Sequence, residues 1–261
     1  MISTQERVSW KNKLPLLATI LVIAVNAAAN ILPINGFNTG QLSDLYPTGV
    51  TPAGYVFSIW GVIYLGLCIF SFSAFLGSVE TKARIEKVQN LFLVNALLNS
   101  SWIFSWHYRQ ITLSLVIMLA LLATLVGIFW KLYYLPRPNW REYFSVDAPF
   151  SLYFGWITAA TLLNLAALFF DQSYYPFNST MEEWALITAC LATAIYIWMG
   201  AVTRDVIYCG VFVWAAVGIF NRTGGITEPV RLAALCGAVA VTACILWVLI
   251  TPRVRAMRLV H

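Results

Sequence analysis

The sequence predicts an all-α fold, a polytopic membrane helical bundle, on three observations. Hydrophobic residues make up 60% of the 261 and charged ones only 10%, against the roughly 25% charge of a soluble domain. The apolar residues fall in long runs rather than alternating with polar ones. Lys and Arg collect between those runs. A charged side chain at the bilayer centre costs about 2.5–3.5 kcal/mol or more, so a lipid-facing surface excludes it.

A spanning helix needs about 20 mostly apolar residues. Eight segments meet or approach this: 14–34, 54–76, 89–106, 111–134, 148–170, 184–203, 205–220 and 230–250. The stretch 184–220 is too long for one crossing, and the Arg204–Asp205 pair inside it predicts a tight turn between two helices, the second of them short.

With the amino terminus in the cytoplasm, the inner connections hold Arg7, Lys11, Lys13, Lys82, Arg84, Lys87, Lys131, Arg137, Arg141, Arg204, Arg253, Arg255 and Arg258. The outer ones hold only Arg109, Arg222 and Arg231. Thirteen against three fits the positive-inside rule and favours an even number of spans with both termini cytoplasmic. The net charge of +5 therefore reads as topology, and nucleic acid is not an expected partner. Residues 1–30 also imitate a secretory signal, but a first span has the same pattern and needs no cleavage.

The five cysteines lie inside apolar runs without metal-ligand spacing and read as small hydrophobes. His107 and His261 both fall outside mid-membrane, which leaves no evident axial ligand for a haem iron. His107 reads as an interfacial residue at a helix end. No span carries Asp or Glu away from its ends, as cation-coupled pumps commonly do. No phosphate loop, nucleophile elbow or metalloprotease helix occurs. A binding protein is thus favoured over an enzyme, with no intrinsic cofactor.

The connection from Asn35 to Ala53 lacks Lys and Arg and holds Gly36, Gly40, Pro47, Gly49 and Pro52. It is too long for a tight helical hairpin and is placed to cover the mouth of a cavity.

Five asparagines, Asn26, Asn30, Asn95, Asn99 and Asn164, lie inside predicted spans and must face other helices or a cavity. Either role fits an amide there. Asn95 and Asn99 share one helix face. Of the eleven tryptophans, Trp10, Trp130, Trp140, Trp184 and Trp247 lie near span ends, as interfacial anchors do. Trp60, Trp102 and Trp156 lie deeper, at helical spacing from Tyr64, Asn99 and Tyr153. Pocket lining and core packing both suit them.

Residues 51–64, Thr-Pro-Ala-Gly-Tyr-Val-Phe-Ser-Ile-Trp-Gly-Val-Ile-Tyr, resemble the start of the second helix of the TspO family, the tryptophan-rich sensory proteins or peripheral benzodiazepine receptors. Asn99-Ser-Ser-Trp102 is similar to that family's Asn-x-x-Trp in helix three, and Leu122-Ala123-Thr124 to a triplet of helix four. In helix five, Tyr153, Trp156, Ala160, Leu163 and Asn164 reproduce Tyr-x-x-Trp-x-x-x-Ala-x-x-Leu-Asn.

The resemblance covers roughly residues 14–170. It implies a five-helix transmembrane domain whose pocket opens beneath the first loop and accepts porphyrin or haem-type tetrapyrroles and similar hydrophobic ligands. Trp60 and Trp156 fall where the family places tetrapyrrole-contacting tryptophans, with Asn99 and Ala160 at pocket-lining positions. Phe57, Tyr64, Trp102, Tyr153 and Asn164 complete the candidate ligand set. The first loop departs from the family's short Trp- and Lys-bearing loop, and no sterol-recognition pattern follows helix five.

Residues 181–261 form a C-terminal extension of about three further spans, in which Ala233 and Gly237 suit close helix packing, either on the bundle or in a homodimer. Three functions follow as expectations: a tetrapyrrole-binding sensor or carrier, an eight-span small-solute transporter, and a light-dependent porphyrin-degrading protein.

Overall fold

The computed structural model describes residues 10–32 and 34–251, with side chains from Lys13 onward. Arg7, Arg253, Arg255, Arg258 and His261 lie outside these residues, as do the side chains of Trp10 and Lys11. The described chain forms eight long helices: α1 (Trp10–Ile31), α2 (Ile59–Leu76), α3 (Val79–His107), α4 (Ile111–Tyr133), α5 (Ala148–Asp171), α6 (Met181–Thr203), α7 (Val206–Phe220) and α8 (Glu228–Ile250). No strand occurs among them.

Among the described residues, six stretches are long and apolar enough to cross a membrane: Lys13–Ile31, Gly54–Leu76, Ile111–Tyr133, Trp140–Asp171, Met181–Thr203 and Glu228–Ile250. The other two expected spans fall short for different reasons. Helix α3 carries charges in its first turns and asparagines further on. Helix α7 has 15 residues and reaches only about 22 Å against a hydrocarbon core of about 30 Å. It is tolerated because α5, α6 and α8 pack around it.

The segment 77–88, read from its charges as a connection, is mostly helix. Ser78 caps α3 by accepting from the Thr81 amide, and the helix carries Lys82, Arg84 and Lys87 beyond the membrane core. Arg84 is buried and donates to Asp147 at 2.6 and 3.1 Å and to the Pro136 carbonyl at 2.7 Å. The turn after α6 forms where the polar pair predicted it. Arg204 takes a left-handed conformation (φ 58°), and the Asp205 carboxylate accepts from the amides of Ile207 and Tyr208 to start α7.

Helices α1 to α5 pack as one group, and α6 to α8 form a second on the far side of α5. Gly237 faces inward within this second group. A methyl there would meet the Thr193 hydroxyl at 2.5 Å and the Phe212 ring at 3.2 Å, so this small residue serves close approach inside the chain.

The polar spans find partners across the bundle. Asn26 of α1 donates to Asn99 of α3 (2.9 Å), which donates to the Tyr153 hydroxyl of α5 (2.7 Å). Asn95 donates to Thr124 of α4 (2.8 Å), and Asn164 donates to Ser114 (3.0 Å). Interhelical amide bonds of this kind are worth about 0.6–2 kcal/mol in membranes.

Candidate ligand pocket

The pocket begins at the entry to α2. A 3-10 turn, Gly54–Ser58, precedes the helix and delivers Phe57 and Trp60 to the interior. Helix α3 contributes Trp102 and Trp106 one turn apart, and α5 contributes Trp156, Ala160, Leu163 and Asn164 from one face. These residues, with Thr39 above them, line a cavity of about 30 Å³. That is room for one or two waters, whereas sites for drug-sized ligands run to roughly 300–1,000 Å³.

The cavity is small because the rings close on one another. Trp60 stacks on Tyr64 (centroids 5.6 Å apart) and lies 6.2 Å from both Trp102 and Trp156, the latter edge-on. Phe57 meets Trp156 edge-on at 5.9 Å, and Trp102 stacks on Trp106 at 6.1 Å. Such pairs add about 0.5–1.5 kcal/mol each beyond burial.

The polar atoms are less well served. The indole N–H groups of Trp102, Trp106 and Trp156 and the Tyr64 hydroxyl are buried without a hydrogen-bond partner. Leaving a buried donor unmade costs about 1–3 kcal/mol, and the three tryptophans of this set all line the cavity.

Six residues of the expected ligand set therefore line the cavity: Phe57, Trp60, Trp102, Trp156, Ala160 and Asn164. The other three stand behind them. Tyr64 stacks on Trp60, Tyr153 meets Trp60 edge-on at 5.9 Å, and Asn99 is fully buried and spent on Asn26 and Tyr153. Trp106, Thr39 and Leu163 complete the lining. Trp106 was legible in principle, four residues after Trp102 on the same face. Thr39 was not, because its place depends on how the first loop folds back.

That loop does cover the cavity. Asn38 caps a short helix, Thr39–Asp44, by accepting from the Gln41 amide. His107, expected at an interface, is instead fully buried beneath the loop. Its Nδ1 lies 3.1 Å from the Ile34 carbonyl, which can only accept, so Nδ1 carries the proton. Nε2 then accepts from the Thr39 hydroxyl at 3.2 Å. Further along, Arg109 donates to the Tyr46 hydroxyl, whose ring packs 5.5 Å from Trp106.

A helical bundle with these apolar spans and an aromatic cavity under its first loop defines an integral, multi-pass membrane protein. A family model described as TSPO-like protein matches residues 12–247, from α1 through most of α8. The chain belongs to this TSPO-like family. No curated protein and no solved structure matches it.

Proposed function

We propose that the protein binds a planar hydrophobic ligand of the porphyrin or tetrapyrrole class between α2, α3 and α5, as a sensor or carrier. The observation that carries this reading is the set of three buried indole donors, on Trp102, Trp106 and Trp156, left without partners around one aromatic cavity. Indole faces suit a broad π-system, and the free N–H groups suit acceptor atoms at its edge. Because the cavity holds only about 30 Å³, binding requires the rings to part and the loop above to lift. In the same reading both termini are cytoplasmic, on the Lys and Arg asymmetry of the connections.

The test is a titration of the purified protein with protoporphyrin, followed by the shift of the porphyrin absorption band. Saturable binding is expected, weakened roughly tenfold or more, about 1.4 kcal/mol, by the Trp60→Phe, Trp156→Phe double substitution. Unchanged affinity in the double variant would remove the site assignment, and no binding by the parent protein would remove the function.

A further inference from the structure

The roof of the cavity does not rest on the five-helix group alone. Its rear edge, residues 44–57, is bonded to α7 of the C-terminal group and to the turn that follows it. The Ala53 amide donates to the Gly218 carbonyl at 3.0 Å, and the Trp214 indole donates to the Val56 carbonyl at 3.0 Å. Arg222 donates to the Asp44 carboxylate at 2.7 Å and to the Pro52 carbonyl at 3.0 Å. The Trp214 ring also meets Tyr55 edge-on at 5.4 Å.

The contact is shaped as well as bonded. A methyl on Gly218 would collide with a Val56 methyl, so only glycine admits Val56, which is fully buried there. The next residue is Phe57, which lines the cavity and holds Trp156 edge-on. Arg231 of α8 in turn donates to the carbonyls of Phe220 and Arg222, which ties off the end of α7. A continuous path of contacts thus runs from α8 through α7 to the turn that delivers Phe57.

We infer that α7 and the turn after it form a positioning element of the ligand site: Trp214 and Gly218 of α7 and Arg222 of the turn hold the Asp44–Phe57 edge of the roof closed and set how readily a ligand enters. This rests on the reading of the cavity as a ligand site. It gives the three C-terminal helices a role in that site which neither lipid contact nor self-association supplies. The bonds reach Asp44 near one end of the segment and Val56 near the other, so releasing them frees this edge of the roof as a unit. A ligand that enters and leaves by lifting the roof then gains and loses access together.

The experiment uses the full chain in lipid nanodiscs with two readouts, amide hydrogen exchange over residues 44–57 and the association and dissociation rates of protoporphyrin. Trp214→Phe keeps a ring but removes the donor to Val56, and Arg222→Ala removes both loop contacts. Each is expected to speed exchange in residues 44–57 by roughly tenfold, the factor that about 1.4 kcal/mol gives, while exchange in α5 stays unchanged. Both ligand rates should rise in step, and Arg222→Lys should restore part of the effect.

Exchange over 44–57 that is unchanged in both variants would overturn the inference, and so would faster exchange with unaltered ligand rates. If a variant loosens α5 as well, Asp44→Asn carries the test, since that carboxylate is half exposed and its neutralisation weakens the pair without touching any of the eight long helices. Failure of the parent protein to bind protoporphyrin sinks the proposed ligand class, while the exchange readout still decides whether α7 holds the roof.

Discussion

At the scale of single residues, the setting of His107 changes its chemistry. Burial pushes its imidazole below the ordinary value of 6.5, partly opposed by the Ile34 carbonyl. The docked loop thus binds fewer protons than a released loop, whose histidine titrates near about 6.5. Docking is fully supported above about pH 6.5 and weakens as the pH falls from there toward the lowered value. Amide exchange of residues 34–39, corrected for intrinsic rates, should accelerate between pH 7.5 and about pH 5.5. His107→Gln should abolish that dependence, and a pH-independent rate in the parent protein would refute it. The sequence exposed the asparagines and deep tryptophans because amides and indoles inside apolar runs stand out. It hid the burial of His107, which depends on a loop folding back to bring Thr39, 68 positions away, beside it. The amides themselves resolved toward helix-to-helix bonding at Asn95 and Asn99, while Asn164 both bonds Ser114 and borders the cavity.

At the scale of elements, the long α3 is fixed at its charged end by one buried pair. Arg84 and Asp147 are 7% and 15% exposed, and Arg84 also satisfies the carbonyls of Pro136 and Leu132 at the end of α4. Removing one member of a buried pair leaves the other charge uncompensated, at about 3–5 kcal/mol. Asp147→Ala should therefore lower the thermal unfolding midpoint in detergent markedly, and more than Asp44→Ala, whose pair with Arg222 is half exposed. Equal shifts would show that the burial of Arg84 carries no energetic weight. Apolar runs marked the eight long helices, although α3 and α7 fall short of a full apolar span. The start of α3 was misjudged because Lys82, Arg84 and Lys87 look like a solvated turn until Asp147, 63 positions away, is brought beside Arg84. The break between α6 and α7 was legible because two adjacent charges in an apolar run have few other uses.

For the whole molecule, contacts at the two ends of the bundle agree with an up-and-down path. Arg222 with Asp44 and Arg109 with Tyr46 join loops at one end, while Arg84 with Asp147 and Arg204 with Thr251 join segments at the other. With the cytoplasmic assignment of the second end, Ser173→Cys in a cysteine-free background should label with an impermeant maleimide from outside intact cells. Arg137→Cys should label only after permeabilisation, and the reverse pattern would invert the topology. Charge alternation made the path readable, because Lys and Arg report the side on which a connection stays. The docking of α7 behind the cavity left no such trace, since Trp214, Gly218 and Val56 are ordinary residues of apolar runs until they meet. The ring cluster has its own signature in light. Trp60, Trp102, Trp106 and Trp156 form a chain with centroids 6.1–6.2 Å apart. At this spacing, excitation absorbed by one indole is expected to pass to its neighbours before emission. Fluorescence anisotropy in a rigid glass should therefore be lower for the four-ring protein than for a variant that keeps only one of the four, and equal values would refute the coupling.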